Sequence, residues 1–164
     1  MTTVRIPDET YQTILSVIPI PCVDLVISKS TGEVLLVRRT NEPARGEWWF
    51  PGGRVHFGET REAAATRKLA EECGLSTADA RELWTLDVIL PVKTESRISH
   101  GITTVFAAFV PSESQINLDA QASEFSWKRP TAWQRENLHP LVHEVLSRFA
   151  KMVSQNESAI GLTA

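Results

Sequence analysis

The sequence predicts an α/β domain in which a mixed β-sheet is flanked by helices. Apolar, β-branched segments of strand length alternate with segments whose apolar residues recur at helical spacing, and residues 60–73 and 138–152 are the best of the latter. The chain of 164 residues shows no internal repeat, and that length fits one domain able to bury a full core.

Residues 7–17 read as a short amphipathic helix, with Tyr11, Ile14, Leu15 and Ile18 on one side. Residues 22–27 form a strand, Ser28 to Gly32 a turn, and residues 33–38 the returning strand of a hairpin. The Pro- and Gly-containing stretch NEPARGE is an exposed loop placed to touch a ligand. Trp48, Trp49 and Phe50 make a short bulky strand that stops at Pro51; alternation sends one tryptophan to the core and the other toward a pocket. The alanine-rich helix over residues 60–73 lies between Gly58 and Gly74, and Gly74 is its left-handed stop. Residues 82–91 and 101–110 are two further strands joined by a polar loop, KTESRISH, and residues 124–127 a short one. The closing helix turns Leu141, Val145, Leu146 and Phe149 inward. The domain is expected to span residues 1–153, with residues 154–164 as a frayed tail of small and polar residues.

Composition narrows the function classes. With 42% hydrophobic and 23% charged residues the chain is of ordinary globular type. A net charge of −3, with acids and bases interspersed, argues against a nucleic-acid partner but not against a nucleotide ligand. Cys22 and Cys73 are too few for a disulfide framework and read as reduced and structural. No apolar run is long enough to span a bilayer and the N-terminus lacks a signal-type apolar core, so the expectation is a cytoplasmic protein with no membrane partner.

The chemistry concentrates in residues 52–75, GGRVHFGETREAAATRKLAEECGL. Gly52 and Gly53 allow a tight turn that can present a backbone carbonyl as an oxygen ligand. On the helix that follows, Lys68, Glu71 and Glu72 share one side. Acids in the last turn oppose the helix dipole, at a cost of about 0.3–1 kcal/mol each when exposed, and a bound divalent cation reverses that sign. Carboxylate and carbonyl oxygens suit Mg²⁺ or Mn²⁺, whereas the Cys and His spacing of a zinc site is missing. Arg67 is placed to brace Glu59 or a neighbouring acid, and Arg39, Arg45 and Arg54 cluster in sequence around the loop and the turn. Their planar forks match the oxygens of a diphosphate.

Gly53, Glu59 and Arg67, followed by Leu69, Glu71, Glu72, Gly74 and Leu75, are spaced as in the Nudix box. The chain therefore resembles the Nudix hydrolases, which act on nucleoside diphosphates linked to another group. The resemblance implies a Nudix-like α/β/α sandwich. Lys68 departs from it, standing where the family usually has a glutamate that helps bind metal or activate water. Over about residues 6–148 the chain is also similar to one branch, the GDP-mannose mannosyl hydrolases, through RRTNEPARGEWWFPGGRV and Asp24. That similarity implies a homodimer acting on a nucleoside diphosphate sugar. It implies metal ligation by the Gly52 carbonyl, Glu72 and Gln121, with Glu71 added by the ordinary Nudix pattern. It also implies diphosphate contacts from Arg39 and Arg54, and support from Arg67.

Ala122 stands where the branch has its general-base histidine, and Glu71 where the branch has a small apolar residue. The remaining candidates for proton transfer are Glu71, Glu124 and His100, the last also a candidate substrate contact, with Ser123 orienting water and His56 near the turn. If the branch pattern governs, water attacks the anomeric carbon of GDP-mannose and GDP leaves. If the general pattern governs, water attacks phosphorus of a nucleotide sugar or nucleoside triphosphate. Lys68 and Ala122 together also raise the competing reading of a nucleotide-sugar-binding protein without turnover.

Overall fold

Strand β1 (Ile20–Lys29) is the hub of a seven-stranded sheet in a computed structural model that describes residues 6–76 and 80–160. From Val23 to Ser28 it is almost continuously buried, as expected of a strand covered on both faces. It runs parallel to β6 (Arg97–Val110), in register from Ile20↔Gly101 to Lys29↔Val110. Antiparallel to it lie β2 (Val34–Arg39) and β4 (Gly52–Arg54). The short β3 (Trp48–Trp49) and β7 (Ala122–Lys128) pair with β2, and β5 (Ala80–Val92) pairs with β6, all antiparallel.

Side chains alternate between the two faces of a strand, and this alternation builds the layers. Val23, Leu25, Ile27, Leu35 and Val37 pack against Ala64, Ala65 and Leu69 of α2 (Arg61–Cys73). Val26, Val34 and Leu36 pack instead with Trp133 of α3 (Pro130–Trp133) and Val142, Val145, Leu146 and Phe149 of α4 (Pro140–Ile160). The product is an α/β/α sandwich with a mixed sheet. Trp133 is fully buried, and its indole N–H donates to the Val34 carbonyl at 2.9 Å, so no polar atom of that ring is left unsatisfied.

Helix α2 is fixed at both ends by its sequence. Thr60 is the N-cap, its hydroxyl accepting the Ala63 N–H at 3.1 Å. Gly74 adopts φ 66° at the C-cap, and its N–H and that of Leu75 return to the Ala70 and Leu69 carbonyls. Ala64 and Ala65 on the inner face let the helix axis approach the sheet closely.

Three expectations are corrected. Residues 97–100 of the supposed loop are part of β6, with His100 opposite Ile89; the alternation of Ile98 and Ile102 with polar residues lets the hairpin ladder continue. Gly52–Arg54 is a short strand rather than a turn, because its backbone finds Cys22, Val23 and Asp24 of β1 to pair with. Helix α4 continues past Met152 to Ile160; residues 161–164 of the expected tail lie outside the described ones. Helix α1 (Asp8–Val17) forms as expected, yet none of its residues is buried. Among the described residues no helix is long and apolar enough to cross a membrane.

Gly74→Ala places a side chain at positive φ, with its Cβ 2.9 Å from the Asn117 Cβ. Urea unfolding is expected to show a loss of about 1–3 kcal/mol.

Candidate active site

The end of α2 meets the unpaired edge of β4, and Glu72 makes the junction. The residue is 7% exposed. Oε2 accepts the Gly52 N–H at 3.0 Å, and Oε1 accepts Lys68 Nζ at 2.9 Å and Gln121 Nε2 at 3.1 Å. Burial raises its proton affinity, and the Lys68 charge opposes that rise. Gly52 is required by space: a Cβ there would lie 2.2 Å from the Val23 carbonyl oxygen and 2.6 Å from Asp24 Oδ1. Asp119 orients Gln121, taking its backbone N–H at 2.9 Å and its amide N–H at 2.9 Å.

Arg67 organises the other half of the acidic face. Its guanidinium holds Glu59 in a two-toothed pair, at 2.7 Å and 2.8 Å, reaches Glu71 at 3.0 Å and donates to the Arg54 carbonyl at 3.1 Å. The hydrogen bonds from Arg67 hold the Glu59 carboxyl down at about 2, helped by the His56 N–H at 2.9 Å. The brace expected from the sequence is therefore present, and it extends to Glu71 and the β4 backbone.

Beside this junction lies a cleft of about 130 Å³, open to solvent, lined by Cys22, Asp24, Arg39, Trp49, Gly52 and Gly53 among others. Trp49 is the cleft-facing tryptophan, donating to Asp24 Oδ2 at 3.2 Å, while Trp48 packs on Trp133 with ring centroids 5.4 Å apart. Burial pushes the Asp24 carboxyl up to about 7, with the Trp49 hydrogen bond and the Arg39 charge opposing and the Glu72 charge adding. Cys22 lines the cleft rather than serving only the core, yet burial raises its thiol to about 12, which keeps it an unreactive thiol.

The structure thus brings Asp24, Arg39, Gly52, Arg67, Glu71, Glu72 and Gln121 into one region. Arg39 Nε–H donates to the Pro43 carbonyl at 2.9 Å. Arg54 reaches it through its backbone, and its guanidinium lies over the Tyr11 ring at 4.5 Å. Glu124 is half exposed and paired with Arg38 at 2.9 Å, beside Trp48 and away from the cleft lining. Ser99 and Gly101 line the cleft, so His100 between them points to the other face, where it meets Asp87 at 3.3 Å. Ala122 sits opposite Arg39 and offers no proton-accepting atom. Sequence reasoning missed Asp119, although an Asp two residues before Gln121 is the ordinary signal of a side chain closing onto its own backbone. It also missed Ser99, Gly101 and Thr103, which reach the cleft through β6 register alone.

Among the described residues no three or more His, Cys, Asp and Glu side chains are gathered as a metal cage. The donors nonetheless fit a divalent cation of the Mg²⁺ type. The Lys68 ammonium lies 2.9 Å from Glu72 and 3.6 Å from Glu71, so both carboxylates already converge on one positive charge.

The sandwich, with an arginine-braced acidic helix against a glycine strand, defines the architecture of a Nudix hydrolase. The chain matches the family model of the NUDIX domain over residues 19–149 and belongs to the Nudix family. It is 36% identical over 146 residues to the low-salt glycan biosynthesis protein Agl8 of Haloferax volcanii, covering 88% of this chain and 90% of that protein. It is 32% identical over 126 residues to the RNA pyrophosphohydrolase of Haemophilus ducreyi, covering 69% of this chain and 62% of that protein. Among solved structures, the MutT protein from Methanosarcina mazei Go1 superposes with a TM-score of 0.70 at 25% identity, covering 82% of this chain and 95% of that one.

Because the Glu59 pKa is lowered on folding, its pair with Arg67 contributes stability that is complete above the unfolded value and lost as pH falls from 4.5 toward about 2. Glu59→Gln is therefore expected to lower stability by about 1–2 kcal/mol near pH 7. The difference between the two melting curves should shrink steadily through that acid window.

Proposed function

We propose that the protein is a Mg²⁺- or Mn²⁺-dependent pyrophosphohydrolase that cleaves the diphosphate of a nucleoside diphosphate sugar by attack of water on phosphorus. The observation that carries this reading is the buried Glu72 carboxylate, joined by Glu71 and held by Gly52 at the edge of a cleft that Arg39 also lines. Gly52, Glu71, Glu72 and Gln121 would hold the cation. When bound, it neutralises the diphosphate and stabilises charge on the leaving group. Arg39 adds fixed positive charge for the phosphoryl oxygens, and Arg54 would join it on leaving the Tyr11 ring. Arg67 keeps Glu71 oriented, and Glu71 is the best-placed carboxylate to take a proton from water.

Two findings favour phosphorus over carbon as the point of attack. Ala122 removes the base that the mannosyl-hydrolase pattern needs. The Haemophilus ducreyi relative is named for pyrophosphate hydrolysis. The sugar rests on the Haloferax volcanii relative, which is named for glycan biosynthesis. A second reading, hydrolysis of GDP-mannose to GDP and mannose, is favoured by Asp24, which lines the cleft where the resembling branch has its aspartate.

Incubation of GDP-mannose, other nucleotide sugars and nucleoside triphosphates with Mg²⁺ in ¹⁸O water is expected to place label in phosphate. Label in free mannose would select the second reading. Glu72→Gln should lower kcat by about 100-fold or more, beyond what loss of an outer partner of a metal typically costs. Full activity in that variant would remove Glu72 from the site.

A further inference from the structure

Lys68 lies within the acidic face of α2 and is as buried as the carboxylate it holds, at 8% exposure against 7% for Glu72. Three donors share Glu72: the Gly52 N–H, the Gln121 amide and the Lys68 ammonium, of which only the last is a full charge. The same ammonium is 3.6 Å from Glu71 Oε2. It is thus a built-in cation between the two acids that would hold a metal.

Its stem lies against Gly53, where a Cβ would stand 2.7 Å from Cε and 3.2 Å from Nζ. Gly53 also lines the cleft, so the ammonium lies against a residue that borders the space a diphosphate would enter. Lysine is a point charge on a flexible stem, able to exchange one oxyanion for another without loss of charge pairing.

We propose that Lys68 is a latch that couples metal loading to substrate binding. This rests on the reading of Glu71 and Glu72 as metal-holding residues. Without a diphosphate the ammonium pairs with both carboxylates, offsetting one of their two charges, and opposes a divalent cation. A diphosphate in the cleft offers the ammonium a phosphate oxygen instead, and the carboxylates are released to the metal. Linkage requires the effect to be mutual, the metal tightening the diphosphate as the diphosphate tightens the metal. A lysine that merely offsets two acids at a helix end produces no such coupling.

The test is calorimetric titration of the whole chain with Mn²⁺ alone, and separately with GDP in the presence of EDTA. Lys68→Met is expected to bind Mn²⁺ about 10-fold more tightly than wild type and metal-free GDP about 10-fold more weakly, within the usual range of coupling between sites. Lys68→Gln, which keeps a polar end, serves if the methionine variant does not fold, and the same two shifts are expected of it. Adding Glu72→Gln to either variant should abolish the gained Mn²⁺ affinity. Equal Mn²⁺ affinity in wild type and variants, or unchanged GDP binding, overturns the latch and leaves the metal site standing. Failure of every protein to bind Mn²⁺ overturns the metal site and the latch with it.

Discussion

The hydrogen bond from the Gly52 N–H to the Glu72 carboxylate is the contact on which the arrangement of the site depends. It joins the last turn of α2 to an edge strand whose sheet partner is β1. A carboxylate taken this far from water is costly unless nearly all its lone pairs are used, and here backbone, amide and ammonium donors share them. The same contact requires that nothing larger than hydrogen project from Gly52, since the Val23 carbonyl and the Asp24 side chain fill the adjacent space. Position 52 and position 72 therefore constrain each other through one bond.

Arg67 gives this junction its stiffness. Its guanidinium ties Glu59, which precedes the helix, to Glu71 near its end and to the backbone of β4. A planar cation with several donors in a fixed fork is suited to this. The helix is also locked along its length, by Thr60 and Gly74 at the caps and by Ala64, Ala65 and Leu69 against the sheet. The acids at its end consequently have little freedom, which is what a site that must position phosphate and water requires. Asp24 across β4 feels the Glu72 charge, so cleft and acidic face form one electrostatic unit.

The layers of this fold were legible because strand alternation and helical spacing are local patterns, and β1, α2 and α4 follow them closely. The caps of α2 were legible for the same reason. The Arg67–Glu59 brace followed from the spacing of opposite charges around a glycine turn. What stayed hidden depends on register between distant segments. His100 read as a loop histidine, yet the β5–β6 ladder carries it into a strand and turns it away from the cleft. Gly52 and Gly53 read as a turn because glycine more often serves turns than edge strands, and only the pairing with β1 makes them β4. Glu124 has the right chemistry for a base, but the pairing of β7 with β2 sets it opposite Arg38 and away from the cleft lining. Lys68 read as a departure from a pattern; its contacts make it the counter-ion of the site.

The central claim is that Glu72, held by Gly52, is a ligand of a divalent cation at the edge of the cleft. Anomalous diffraction at the manganese edge, from crystals grown with Mn²⁺ and a non-hydrolysable methylene-bridged nucleoside diphosphate, tests it directly. The account predicts a manganese peak about 2.1 Å from a Glu72 carboxylate oxygen, with the diphosphate bound beside it and Lys68 Nζ turned away from Glu72. Manganese bound elsewhere, with the Lys68–Glu72 pair intact while the diphosphate occupies the cleft, would contradict it.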